Sequence, residues 1–227
     1  MKKFYYTKEK EFWETNRDSY YSVLSRKDEV EVMEWIGNFS RGDVLDIGGG
    51  SGAASKKLLN VSGIWIVCLD LSYAMLKHSG HTKVQADALL LPFKNNSFDL
   101  IIAAAFIHHL PGQECKLLKE CYRVLRSSGR IIGYDPNGSC IQNKIFMSNN
   151  LLRLNVFSPD ERPLDPLLLR DLSGEVGFSN FKKKYISFEY RQKTIFQIIQ
   201  VLLIGPFAKW KLKKYFHRWF LWSMRKI

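Results

Sequence analysis

Val44-Leu45-Asp46-Ile47-Gly48-Gly49-Gly50-Ser51-Gly52 sets a short apolar run directly against a glycine-rich turn. The run reads as a buried strand. Glycines in the turn let the backbone reverse sharply and let a ligand lie against it. The residues from Ala53 to about Leu59 read as a helix, whose N-terminus would offer free N–H groups and a positive dipole end. Taken alone the loop is ambiguous. Gly48, Gly50 and Ala53 satisfy a GxGxxA dinucleotide fingerprint, and a glycine-rich turn can also be only a tight turn.

Outward from this unit the chain alternates. Ile64–Leu69 is a continuous apolar run ending at Asp70, followed by a helix at 72–79 and a strand at 82–86 ending at Asp87. Phe98–Ala104 is another apolar strand. A helix follows at 112–126, then a turn at Ser127-Ser128-Gly129 and a strand Arg130–Tyr134 ending at Asp135-Pro136. Continuous apolar strands fit a parallel sheet buried on both faces, and five strands alternating with helices make an α/β doubly wound fold. Upstream, 8–38 reads as two helices with a break near Leu24-Ser25-Arg26. Downstream, the expectations are helices at 140–154 and 165–176, a loop at 158–163, a strand Phe181–Tyr190, a short apolar helix Ile195–Ile204, a basic aromatic helix Trp210–Phe216 and a closing strand Trp219–Lys226.

Composition bounds the function classes. The 227 residues are 46% hydrophobic and 25% charged, which fits one folded domain over 1–227 and excludes a disordered chain. No apolar run reaches the ~20 residues of a membrane-spanning helix, and the basic start Met1-Lys2-Lys3 leads into no apolar signal segment. Cys68, Cys115, Cys121 and Cys140 form no CxxC pair, so neither a disulfide framework nor a metal site is expected, and a cytoplasmic setting fits. Charge is uneven. Residues 181–227 hold 12 Lys and Arg against one acid, Glu189, a net of +11; residues 1–180 hold 22 against 21, a net of +1. A nearly neutral body thus carries a basic tail, which favours an anionic partner.

The acids decide what the glycine loop holds. Asp46 stands two residues before the first glycine, where it would repel a pyrophosphate and welcome an amino group. Asp70, ending the second strand, is placed for two ribose hydroxyls, and Asp87, after the third, for an exocyclic amine. A nucleoside without phosphates and with a positive pole meets all three demands, and S-adenosyl-L-methionine is such a molecule.

With these pieces in hand the chain resembles the class I S-adenosylmethionine-dependent methyltransferases, in the broad group that includes the ubiquinone and menaquinone methyltransferases. The matching segments are Val44–Gly52, Leu69-Asp70-Leu71-Ser72, Ala86-Asp87-Ala88, Leu91–Ile101, His108-His109-Leu110 and Arg123–Gly129, in order over about 43–135. The resemblance implies a mostly parallel seven-stranded sheet. It divides the chain into N-terminal lid helices (1–40), a cofactor core (43–135), a second lid with helices (136–180) and C-terminal strands (181–227) carrying an insertion at 194–216. It implies that Asp46, Gly48, Gly49, Gly50 and Gly52 hold the methionine portion, that Asp70 binds the ribose with Leu71 packing on adenine, that Asp87 and the Ala88 N–H meet the adenine edge, and that Ala104 lies near the transferable methyl. Gly49 and Ser127-Ser128 depart from the family pattern without removing a side-chain ligand. The resemblance says little of the acceptor, since the family methylates quinones, lipids, sugars, peptides and small metabolites.

Methyl transfer from a sulfonium is an in-line displacement, so the main work is near-attack geometry and exclusion of water. A base is required only for an acceptor whose proton must leave. His108, His109 and Asp135 are the candidates at the rim, with Glu161 near it. His-His-Leu is also common in this family whatever the substrate, so a packed structural histidine is the competing reading, and His109 is the one expected to be packed. No Asn/Asp-Pro-Pro-Tyr/Phe motif of base-amine methyltransferases is present, and no cysteine stands in a Pro-Cys context.

The stretch 194–216 combines an apolar helix with Lys209, Lys211, Lys213 and Lys214 among aromatics. Such a segment suits the surface of an anionic membrane. Packing on the sheet edge or in a dimer interface is the competing reading, and nucleic acid a third. The expectation is a methyltransferase acting on a lipid-linked, isoprenoid, saccharide or other small-molecule acceptor at the cytoplasmic membrane face. An RNA methyltransferase and a non-catalytic S-adenosylmethionine-binding module are the alternatives.

Overall fold

The apolar runs pair into one seven-stranded sheet in the computed structural model, which describes residues 10–15, 35–37, 39–148, 158, 161–186 and 218–227. The strands are β1 (Gly42–Ile47), β2 (Ile64–Asp70), β3 (Thr82–Gln85), β4 (Phe98–Ala104), β5 (Leu125–Pro136), β6 (Phe178–Ile186) and β7 (Trp219–Lys226), in the order β3-β2-β1-β4-β5-β7-β6. β1 to β5 run parallel, and β7 lies antiparallel between β5 and β6. The order reverses between β1 and β4, which opens the crevice that α/β sheets use for ligands at their carboxyl ends.

Neighbouring residues on one strand serve opposite faces, as the strand period of two requires. Leu45, Ile101 and Ile131 join one buried cluster with Leu117, Leu118, Cys121 and Val124 of the helix α2 (Glu114–Val124). Val44, Leu100 and Ile132 join the other, with Ile36, Leu58 and Leu221. Further helices are a single turn, α1 (Tyr73–Leu76), then α3 (Ile141–Ser148) and α4 (Pro166–Val176). α4 begins where Asp165 accepts the Leu167 N–H at 2.8 Å ahead of Pro166, and it stops at Gly177, whose φ of 106° is the left-handed conformation glycine supplies. Arg123 of α2 donates to the Leu91 and Phe93 carbonyls while Glu120 accepts the Leu91 N–H, so this helix end fixes the loop between β3 and β4.

Three expectations change. No α-helix follows the glycine loop: 51–63 is a run of turns around a three-residue 3-10 segment, Lys56–Leu58, with Leu58 its buried apolar residue. Ser127-Ser128-Gly129 does not end one element and begin another. β5 runs through it with a bulge, Phe98 pairing with Leu125 and Leu100 with Arg130. Arg126 pins the bulge to Asp43 and Asp99. Trp65, inside the apolar run of β2, is 61% exposed. Of the expected helices at 8–38, the described residues 10–15, 35 and 36 are helical; the break at 24–26, the continuation 149–154 and the whole insertion 194–216 lie outside the described residues. Among the described residues no helix is long and apolar enough to cross a membrane.

Candidate active site

A cavity opens at the carboxyl ends of β1, β2, β4 and β5. Gly48, Gly49, Gly50, Ser51, Ala53 and Ala54 form one wall, Asp70, Leu71 and Ser72 follow β2, Asp87 and Ala88 follow β3, and Ala104, Ala105 and Phe106 end β4. Lys10 and Trp13 approach from the N-terminal helical stretch, with Tyr134, His109 and Leu110 completing the lining.

The loop needs its glycines for two reasons. Gly48 has φ 63°, and a Cβ there would sit 2.0 Å from the Phe106 ring. Gly50 has φ 51°, and its Cβ would stand 3.9 Å from Asp70 Oδ2 and 3.1 Å from Met75 Cε, in the space between loop and acid. The Gly50 N–H donates to Asp70 Oδ2 at 3.0 Å, so the loop and the β2 acid are one unit. The Ser72 N–H donates to Asp70 Oδ1 at 2.8 Å. Burial raises the Asp70 carboxyl, opposed by those two backbone donors and by the charge of His109. Asp87 accepts the Leu89 N–H on Oδ1 at 2.8 Å.

Asp46 and Gly52, expected on the wall, do not line the cavity. Asp46 is fully buried beneath the loop: a Cβ on Gly49 would come 2.6 Å from its Cγ. Its Oδ2 accepts the Ser55 hydroxyl at 2.5 Å, and that hydroxyl lies 2.9 Å from His81 Nε2. Its Oδ1 is buried with no hydrogen-bond partner among the described residues. Burial pushes this carboxyl up to about 7 against the Ser55 hydrogen bond. An unpartnered acceptor under a glycine loop, with a second acid across it, fits a ligand that carries an amino group and ribose hydroxyls. Gly52, φ 76°, backs against His81 instead, which its Cβ would meet at 2.5 Å.

The histidine pair divides opposite to expectation. His108 is the packed one, 3% exposed, with Nδ1 2.8 Å from Asp135 Oδ1 and Nε2 3.1 Å from Glu161 Oε1. Burial would lower the His108 imidazole, but its hydrogen bonds to the two carboxylates outweigh that and lift it to about 9. Asp135 is not at the rim: it is fully buried and also accepts the Trp222 indole N–H at 2.9 Å. His108 and Asp135 therefore do not line the cavity and His109 does. His109 stands edge-on to Trp13, ring centroids 5.3 Å apart. The donor atoms of His108, His109 and Glu161 lie within 4.8 Å of one another, a set that could attract a metal ion. Both nitrogens of His108 are already taken by carboxylates.

Several lining residues had no signal in the sequence. Phe106 and Trp13 read as ordinary apolar residues, and Lys10 as one charge among many. Ala105 takes φ 50°, a conformation rare for a residue with a side chain and concentrated at functional sites. Tyr134 could have been found from the end of its strand.

A methyltransferase-domain family profile matches residues 45–133. The chain is 30% identical over 114 residues, 45% of its own length and 26% of the relative's, to phosphoethanolamine N-methyltransferase 2 of Caenorhabditis elegans. It is 28% identical over 174 residues, 60% of its length and 65% of the relative's, to a ubiquinone/menaquinone biosynthesis C-methyltransferase of Blochmanniella pennsylvanica. The chain thus spans between about a quarter and about two thirds of the length of these curated relatives. A crystal structure of a SAM-dependent methyltransferase from Archaeoglobus fulgidus superimposes with a TM-score of 0.67 at 20% identity, covering 89% of this chain and 95% of that one, a likeness of fold.

Proposed function

We propose, for a chain that belongs to the class I S-adenosylmethionine-dependent methyltransferases of the broad ubiquinone- and menaquinone-type group, that it transfers a methyl group to a small molecule with an apolar body. The observation that carries this reading is the make-up of the cavity lining: glycine backbone with Asp70 and Asp87, joined by Trp13, Phe106, Tyr134 and Leu110 and by the polar groups of His109 and Lys10.

Asp70, Asp87, Leu71, Ala88 and the Gly48–Gly50 backbone would hold the nucleoside end, and Asp46 would serve from beneath the loop through Oδ1. The cofactor supplies, when bound, a methyl on a sulfonium. The protein orients the acceptor against Ala104 and Ala105, and the aromatic wall excludes water, which holds the pair in near-attack geometry. His109 is the candidate to take a proton from an acceptor that carries one. His108 and Asp135 leave the list of bases and become support.

An apolar acceptor wall favours isoprenoid and lipid-linked molecules over saccharides. The basic, apolar stretch 194–216 supports work at an anionic membrane face, where each nearby lysine contributes about 1 kcal/mol. The test is tritiated-methyl transfer into separated lipid, RNA and polar-metabolite fractions, with co-sedimentation on anionic vesicles. Label in the lipid fraction, with salt-sensitive vesicle binding lost when the four lysines become Gln, is expected. Label in RNA alone, or cofactor binding with no label in any fraction, would replace this reading by one of its two alternatives.

A further inference from the structure

Ser55 and His81 meet under the glycine loop, 26 residues apart in the chain, and nothing in the sequence marks either one. Both are buried, Ser55 completely. The Ser55 hydroxyl donates to Asp46 Oδ2 at 2.5 Å, and its oxygen lies 2.9 Å from His81 Nε2. The Gly52 carbonyl is farther from that hydroxyl, at 3.3 Å. His81 is itself fixed. Its N–H donates to Ser79 Oγ at 3.2 Å, and its ring fills the place that a side chain on Gly52 would need. Three side chains therefore link the turn before β3 to the acid near the end of β1.

This link occupies one oxygen of the carboxylate and leaves the other. Asp46 Oδ1 is buried with no hydrogen-bond partner among the described residues. It faces Gly49, where a Cβ would come 2.9 Å from it, and Gly49 lines the cavity. Glycine brings no side chain to that boundary, and a Cβ would also press on Cys68 Sγ at 2.8 Å. An unpaired buried acceptor is costly, and a ligand ammonium that reaches it removes the cost. The Ser55 hydrogen, once given to Asp46, leaves the hydroxyl oxygen as an acceptor for the His81 ring. Burial lowers the His81 imidazole, opposed by a hydrogen bond to the Gly52 backbone, so the ring is neutral near physiological pH. The support thus adds no cation to compete with the ligand for Asp46. Without the Ser55 hydrogen bond, burial would favour the neutral carboxyl, which attracts an ammonium far less.

We propose that Ser55 and His81 are positioning residues for the cofactor: they hold Asp46 by Oδ2, so that Oδ1 accepts the ligand's amino group from beneath Gly49. The inference rests on binding of S-adenosylmethionine in this cavity. Neither residue touches a reactant. Their effect falls on the amino-acid end of the ligand, while the nucleoside end is left to Asp70 and Asp87.

The test compares two ligands on the full chain by calorimetry. S-adenosylhomocysteine carries the amino group; methylthioadenosine has the same sulfur-bearing nucleoside without it. Ser55→Ala and His81→Leu should each weaken S-adenosylhomocysteine binding about 10–100-fold and leave methylthioadenosine binding unchanged. His81→Gln, which keeps an N–H near the Nε2 position, should restore most of the affinity. Equal losses for both ligands in variants that keep the wild-type circular dichroism spectrum, or no loss for either, would overturn the proposal. A wild-type measurement needs no variant to fold: with isotope-labelled histidine, the His81 ring nitrogen signals should shift on adding S-adenosylhomocysteine and stay in place on adding methylthioadenosine. Identical shifts with the two ligands would overturn it as well. A wild type that binds neither ligand refutes the reading of the cavity and the proposal with it, whereas one that binds both and fails the comparison refutes the proposal alone.

Discussion

Two carboxylates in this molecule look alike in the sequence and differ in what surrounds them. Asp70 faces the cavity and holds the Gly50 and Ser72 amides; Asp135 is sealed behind it. Asp70→Ala should weaken S-adenosylhomocysteine binding by about 1–3 kcal/mol, the scale for losing charge-assisted hydrogen bonds. Calorimetry checks this, with NAD, which should not bind, as the control. His108→Ala removes the imidazole from between the buried Asp135 and Glu161 carboxylates, a loss of about 3–5 kcal/mol. His109→Ala, on the cavity wall, should cost far less stability and more turnover. Equal melting points for the two variants would contradict the division of roles. The sequence could name the pair but not divide it, because adjacent residues differ only in which way a short 3-10 turn, Ile107–His109, aims them.

The strands were legible because a run such as Leu100-Ile101-Ile102 can be buried in only a few ways, and the alternation of runs fixes a parallel sheet. The failures are local contests. The 52–59 segment has helical spacing on paper, but Gly52 at φ 76° and Ser55, whose hydroxyl serves Asp46, tie it down as turns. The Ser127–Gly129 stretch has turn composition, yet Arg126, held by Asp43 and Asp99, keeps both sides in one strand. The glycine inside β5 is more demanding than those of the loop. A Cβ on Gly133 would lie 2.2 Å from the Ala103 carbonyl oxygen and 2.5 Å from the Trp222 ring that faces it across the register. Gly133→Ala is therefore expected to destabilise the protein by about 1–3 kcal/mol or more, as overpacking does. Urea unfolding measures it; an unchanged midpoint would mean that the β5–β7 contact is looser than described.

At the scale of the whole molecule the buried charges set a pH optimum for folding. His108 is raised from 6.5 to about 9, so its contribution is complete below 6.5 and is lost as pH rises to about 9. Glu161 is lowered from 4.5 to about 2, so its contribution is complete above 4.5 and is lost as pH falls. Asp46, raised from 3.8 to about 7, favours the protonated fold and withdraws stability as pH rises through that range. The melting temperature should peak at about pH 4, where the Asp46 and Glu161 windows meet, and decline from there to pH 9; a flat profile from 7 to 9 would mean that His108 is not the charged centre of the network. That network also sets a timetable. Trp222, whose indole N–H completes the Asp135 shell, sits on the strand that comes last in the chain and yet lies inside the sheet. During synthesis at about 5–20 residues per second, β1 to β5 emerge well before β7, with the flank of β5 bare and the acid behind the histidines lacking its indole donor. A ribosome-bound chain of this sequence thus holds an open sheet edge that a chaperone, or a second nascent chain, can occupy until residue 222 clears the tunnel.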